Sequence, residues 1–258
     1  MALIPSHSGV SIYGAKQSEI NIREAISRIA TGLSVINGGN ASNASFANTL
    51  IADSKSYDAA EKNTGQGIDL LKYVEEALVE LNALATRLKE IGIADGLDTN
   101  DTNDTAALNA EAVAVSDTID SIVSSLTFND VNVLGTSAKT FAIGVDKEST
   151  SQTIKTTPGI TATNVSDATG SNTIAATALG EVTQSLGHVA GGLVTLIAQQ
   201  NIASASSANL LQAASNLQDT DFALETAKLT RNSIINNYAL AMLAHTNQTE
   251  RDKLKLLA

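Results

Sequence analysis

Apolar residues recur along this chain at alternating steps of three and four, and the places where that rhythm stops divide the chain into elements. Ile22, Ile26, Ile29, Leu33 and Ile36 fall at steps of 4, 3, 4 and 3. That spacing sets all five on one stripe of a helix, a heptad seam. Asn37 to Ser45, rich in Gly, Asn and Ser, interrupts it. The rhythm resumes with Leu71, Val74, Leu78, Leu81, Ala85 and Leu88. It predicts a helix from about Ala47 to about Ile93, with Gly65 and Gly67 expected to loosen the middle. Asp95 to Thr105 alternates Asp, Asn, Thr and Gly and reads as a flexible connection. Leu108, Ala112, Val115, Ile119, Ile122 and Leu126 then predict a third helix.

After that helix the period changes. Phe128 to Thr177 is rich in Thr, Ser, Asn and Gly. Its β-prone pieces, Thr140 to Val145 and Thr153 to Thr156, predict a small β-hairpin region over about 128–177. The heptad returns with Val182, Leu186, Val189, Leu193 and Leu196, and continues through Ala203, Leu210, Ala214 and Leu217, with Gln200 and Ser207 as polar intrusions. A helix from about Ala175 to Asn216 would run roughly 60 Å. Beyond Asp219 another amphipathic piece carries Ile234 and Leu243 and ends in Leu254, Leu256 and Leu257. The order is helices, a β-rich middle, then helices. The predicted fold is mainly α: a long antiparallel helical bundle or coiled coil made from both chain ends, with a small β-hairpin region between. A single helix of that length cannot bury its stripe against itself, so the two halves must pack together or against other copies.

Composition narrows the core. Of 258 residues 43% are hydrophobic, yet Trp is absent and Tyr and Phe number four each. Large aromatic side chains bury the most area in compact cores, so a chain of Ala, Ile, Leu and Val suits narrow helix–helix seams. The formal net charge is −11, and no basic stripe offers a nucleic acid its counterions. With no Cys there are no disulfides, Cys-based zinc sites or thiol nucleophiles. Met1 to Gly14 has no basic segment followed by an apolar one, the pattern of a secretory signal. No apolar run reaches the length of a membrane span, and on these grounds alone the chain would be placed in the cytoplasm.

Short motifs at the two ends change that placement. Arg28-Ile-Ala-Thr-Gly-Leu33 resembles the Arg-Leu-Ser-Ser-Gly-Leu run of the flagellin N-terminal helix, and Asn63, Gly67, Glu75, Ala77 and Leu78 fall at similar spacing. Phe128-Asn-Asp-Val-Asn-Val-Leu134 is similar to the family's turn after its third helix, and Phe141 to Val145 to its first strand. Asp219, Asp221, Ala223 and Glu225 reproduce an Asp-x-Asp-x-Ala-x-Glu pattern. Ile234, Leu243, Ala244, Asn247, Gln248, Leu254, Leu256 and Leu257 follow it without a gap. The chain departs from the family at Ser34-Val35 and Asn40 to Asn43, where a basic residue and paired Asp are usual. It departs again at Asn236-Asn237, which replace a Gln pair, and at the missing Pro after Asn247-Gln248. The short middle leaves room only for the hairpin region.

The resemblance implies a structural subunit of a bacterial flagellar filament, a helical homopolymer for swimming motility. It implies export through the flagellum-specific type III channel without a cleaved signal, hence a secreted, extracellular location. Residues 1–40 and 220–258 are then expected to form an inner-tube domain on assembly, disordered in the monomer and helical in the filament. Residues 41–219 would form the helical core domain with its β-rich insertion. Implied partners are other copies of the chain, an export chaperone on the C-terminal segment, filament cap and hook-junction proteins, and a host Toll-like receptor. Arg87, Ile91 and Glu111 match the receptor-recognition positions by alignment. Inter-subunit or solvent contacts are the alternative role for Arg87 and Glu111. A hook–filament junction protein shares such ends and is the nearest rival reading; a cytoplasmic coiled-coil signalling protein is a more distant one.

No catalytic constellation accompanies these motifs, and no enzymatic activity or cofactor is expected. His7, His188 and His245 lie far apart and lack ligand spacing. Neither a Walker loop nor a Gly-x-Gly-x-x-Gly is present. Asp98 to Asp104 lacks the central Gly and the acidic twelfth position of a calcium loop. Sequons at Asn40, Asn43, Asn100, Asn103, Asn164 and Asn247 are what an Asn-, Ser- and Thr-rich chain produces by chance. Ser149, Thr150 and Ser151 in the middle are weak candidates for O-linked sugar.

Overall fold

The computed structural model describes residues 7–34, 41–135, 137–161 and 163–257. Within them lie five helices: α1 (His7–Thr31), α2 (Ala41–Asp95), α3 (Thr102–Ser125), α4 (Ser171–Gln218) and α5 (Phe222–Leu257). Two antiparallel pairs of strands stand between α3 and α4: β1 (Thr127–Phe128) with β2 (Val131–Asn132), and β3 (Lys139–Gly144) with β4 (Ser151–Thr157). The chain divides into two compact units, Met1–Ala52 with Leu210–Ala258, and Asp53–Asn209. These limits differ from the 40/41 and 219/220 divisions expected from sequence. Helices α2 and α4 contribute to both units.

The Asp53–Asn209 unit holds one hydrophobic cluster. On α2 it takes Leu71, Val74, Leu78, Leu81, Ala85 and Leu88, each at most 1% exposed, so the stripe read from the sequence is wholly covered. Ala112, Ile119 and Val123 of α3 and Val182, Val189 and Leu196 of α4 join it, with Val133 and Leu134 from the segment after β2 and Ile154 from β4. Leu186 and Leu193 are half-buried against the same cluster. Gly65 and Gly67 do not loosen α2, which is continuous. A Cβ on Gly67 would stand 2.9 Å from Leu196 and 3.1 Å from Ile143. The glycine is there because α4 and β3 come close, and packing outweighs its low helix propensity. Ser207, an intrusion in the seam, shares a buried hydrogen bond with Ser54 Oγ at 2.9 Å and donates to Asp58. A buried hydroxyl with partners costs little.

The connections follow local chemistry. Asp101 to Thr105 is not flexible connection but the start of α3. Asp101 Oδ1 accepts from Asn103 N at 2.7 Å and Asp104 N at 2.8 Å, while Asp104 Oδ2 accepts from Asp101 N at 3.2 Å. This is a capping box built from two aspartates. At the other end Asn132 Nδ2 donates to Val123 O and Ser124 O, covering the last carbonyls of α3. β1 and β2 meet through Asn129 and Asp130, at φ 49° and 62°. Both values are positive, as a two-residue hairpin matching the sheet twist requires, and Asn and Asp tolerate them. In the β3–β4 loop the Asp146 carboxylate accepts from Glu148 N at 3.0 Å and Thr150 N at 2.7 Å. The Thr150 side chain first, and then the amides of Thr150 and Glu148, hold its carboxyl below the usual range. The irregular segment before α4 is pinned to α3: Thr163 N donates to Asp120 Oδ1 at 2.7 Å, and Val165 N to Ser116 Oγ at 3.0 Å. Helix α4 begins at Ser171, inside the stretch expected to belong to the β-rich region.

Candidate assembly surfaces

The unit made of the chain ends is built around α1 and α5, which pack along one another. Helix α1 stops because Gly32 adopts φ 72°, a left-handed end in which its N–H reaches Arg28 O at 2.8 Å. The chain then pairs briefly with the segment ahead of α5. Ser34 N donates to Gln218 O at 2.6 Å, Thr220 N donates to Gly32 O at 2.9 Å, and Leu33 bridges Asp219. With the last turn of α1 beside the first turn of α5, the two helices run antiparallel.

Both terminal motifs converge on this junction. Asp219 accepts from Ser215 Oγ, and Asp221 Oδ1 accepts from Leu224 N at 3.0 Å, capping α5. Glu225, 6% exposed, turns inward. Its Oε1 lies 3.5 Å from Arg28 Nη1 and 2.8 Å from Lys228 Nζ, and Arg28 also stands 3.8 Å from Glu24. Thus Arg28 of the first motif and Glu225 of the last, 197 positions apart, form one ion pair. Spacing alone gave no sign of that partnership. Glu225 Oε2 and the Thr220 hydroxyl are buried without a hydrogen-bond partner among the described residues.

The predicted seam on α1 is only partly covered. The buried line is Ser18 and Ala25, with Ile22 and Ile29 half-buried beside it. Ile26 is 50% exposed and Leu33 39%. A single partner helix meets a face centred on the small residues, and Ile26 falls beyond its edge. On α5 Leu243 is half-buried but Ile234 is 50% exposed, near Phe222, Leu224, Tyr238 and Met242, which are each more than half exposed. Ile36 and the side chains of Leu254 and Leu257 lie outside the described residues.

The three residues aligned with receptor recognition divide. Arg87 donates through Nε to Glu111 Oε1 at 2.7 Å and through Nη1 to Glu90 Oε2 at 3.1 Å. The Glu111 hydrogen bond is the largest cause holding its guanidinium above the ordinary range. Arg87 is exposed and Glu111 partly so, and their ion pair bridges α2 and α3. Ile91 is 1% exposed within the core and presents no surface of its own. The α2 stripe carries it inward.

Among the described residues no group of three or more His, Asp or Glu could hold a metal ion, and no helix is long and apolar enough to cross a membrane. A hollow of about 670 Å³ is lined by Asp117, Asp120, Asn132 and Lys139. Its Asp120 is spent on the amides of Thr163 and Asn164.

Comparison with known proteins bears on the same two ends. Residues 13–140 match the family described as bacterial flagellin N-terminal helical region, and residues 172–257 match the bacterial flagellin C-terminal helical region. A flagellin of Halalkalibacterium halodurans is 28% identical, aligned over 99% of this chain and 100% of the relative. A flagellin of Bacillus subtilis is 26% identical over 89% of this chain and 90% of its own length. A crystal structure of Bacillus cereus flagellin is 24% identical, covering 61% of this chain and 93% of that one, with a TM-score of 0.40.

Proposed function

This chain belongs to the bacterial flagellin family, and from that premise we propose a division of labour between its two units in the flagellar filament. The chain is a structural subunit that polymerises with copies of itself, and the filament it builds is extracellular. The relatives it matches end to end are flagellins, which favours the filament subunit over the junction or signalling readings.

One observation carries the proposal: the unit that joins both family motifs leaves large apolar side chains uncovered. Val10, Ile12, Tyr13 and Ile26 on α1 and Phe222, Leu224, Ile234 and Tyr238 on α5 are half or more exposed. Apolar surface on this scale marks an interaction site, and two helices without further cover are marginal in water. Helices α1 and α5 therefore order fully only when neighbouring copies cover them, forming the inner tube. The Asp53–Asn209 unit already has its own core and folds in the monomer. Limited proteolysis tests this. Cleavage within both ends should be fast in the monomer and at least about tenfold slower in the polymer, a difference of the size set by a modest local ordering energy. Equal, slow cleavage in both states would sink the idea.

Secretion through the type III export channel fits a chain without cysteine, since no disulfide can trap it in transit. The C-terminal segment, with its uncovered apolar side chains, is the piece an export chaperone would protect. Cap and hook-junction proteins would meet the same terminal helices at the two ends of the filament. For a host Toll-like receptor the chain offers the Arg87–Glu111 patch, from which Ile91 is withdrawn into the core. An Arg87→Ala variant that signals through the receptor as strongly as the unaltered protein would remove that role.

A further inference from the structure

Stripes of Leu and Val at steps of three and four can meet in more than one alignment, because a slide of one heptad brings stripe onto stripe again. Within the Asp53–Asn209 unit the contact between α2 and α4 distinguishes its alignments by size. A Cβ on Gly67 of α2 would stand 2.9 Å from Leu196 Cδ1 of α4, and a Cβ on Gly192 of α4 would stand 2.9 Å from Leu71 Cδ1 of α2. Each helix thus carries a glycine and, four residues on, a leucine, and each leucine fills the notch in the other helix. Both leucines are fully buried. The β3–β4 pair closes the third side. Ile143 Cγ1 lies 3.1 Å from the place of the Gly67 Cβ, and Ile154 Cγ2 lies 3.7 Å from that of Gly192. Further along, the Ser54 and Ser207 hydroxyls meet at 2.9 Å in the same antiparallel alignment.

We propose that the reciprocal pairs Gly67–Leu196 and Leu71–Gly192 are a lock that selects one sliding alignment of α2 on α4. A slide of α4 by one heptad would set Leu71 toward Ser185 and Leu196 toward Ala60, and the opposite slide would set them toward Gln199 and Val74. Neither slide gives a leucine its glycine. Both leave two notches unfilled and two leucines without their space, and cavities and overpacking each destabilise a core. The lock lies wholly inside one unit and stands apart from the filament reading. It matters to that reading, because symmetric assembly from identical copies requires every copy to fold in the same alignment.

Disulfide trapping in the full-length, cysteine-free chain reads the alignment. Ser54→Cys with Ser207→Cys reports the observed one, and Ser54→Cys with Gln200→Cys reports α4 slid by one heptad. After refolding in a glutathione redox buffer, the oxidised fraction relative to reduced should be at least about tenfold higher for the first pair. Gly192→Leu puts two leucines at one notch and should narrow that margin below about threefold. Adding Leu71→Gly reverses the notch without changing composition and should restore the margin. A folded Gly192→Leu variant that keeps the full margin overturns the proposal, and so does a reversed notch that fails to restore it. If circular dichroism shows that Gly192→Leu does not fold, urea unfolding of Gly192→Ala, Leu71→Ala and their double variant decides instead. The double loss should fall short of the two single losses together; additive losses overturn the lock.

Discussion

At Glu225 a carboxylate that is 6% exposed is held by Lys228 from its own helix and Arg28 from α1. Burial of a charge is tolerated only when it is paired, so the two cations make Glu225 a register mark between the chain ends. Arg28→Ala should lower stability by about 1 kcal/mol, because Lys228 remains and the Arg28 side chain is 27% exposed. Thermal melting of the variant measures this, and no change would mean the pair is incidental. Asp101 gives a pH-dependent prediction. The amides of Asp104 and then Asn103 hold its carboxyl below the ordinary value. Its stabilisation is therefore complete above the unfolded carboxylate range, near pH 4, and is lost as pH falls through the lower folded value. Amide exchange at Asn103 and Asp104 should accelerate on acidification across that window. Asp101→Asn, whose amide oxygen still accepts, should flatten that dependence. The cap chemistry stands in the sequence at Asp101-x-x-Asp104 and at Asp221, yet residue type alone made the first of these read as a flexible connection. The Arg28–Glu225 partnership was not legible there, because it depends on how two distant segments fold together.

At the scale of elements the two heptad stripes behave oppositely. The α2 stripe from Leu71 to Leu88 is sealed within one chain, whereas the α1 stripe is split by its narrow contact with α5. Leu78→Ala should cost about 2–5 kcal/mol, the range for a large-to-small change in a close-packed core, read from the urea midpoint. Ile26→Ala, at a position 50% exposed, should change the monomer by no more than about 0.5 kcal/mol yet weaken polymerisation. If both variants lose the same stability, the distinction between the stripes fails. Gly92 adds a third case: a Cβ there would stand 2.4 Å from Asn172 N, so Gly92→Ala must push the start of α4 away from α2. It should destabilise despite alanine's better helix propensity. Periodicity located the bodies of α2, α3 and α4, because a step of three and four survives in the order of residues, but its first stripe carried Leu33 past the end of α1 at Thr31. It could not show which stripe has its partner in the same chain, for intra- and intermolecular seams use the same side chains. Nor did it show Ile91 turned inward, or the close approach that keeps Gly67 in α2.

For the whole molecule the division into units has a functional meaning. Asp53–Asn209 is closed around its own core, and the unit of chain ends is open, with motif residues at its junction and apolar side chains outward. On the proposed assembly, copies of the chain would cover that apolar surface. Of the departures from the family pattern, Ser34 lies at that junction, its N–H donating to Gln218 O, and Val35 and Asn40 lie outside the described residues. They mark where contacts between copies are expected to differ from those of relatives. Electron microscopy of the purified protein shifted to polymerising salt tests the central claim most directly. Long tubular filaments are the result this account predicts. A chain that stays monomeric or dimeric under every salt condition would contradict it.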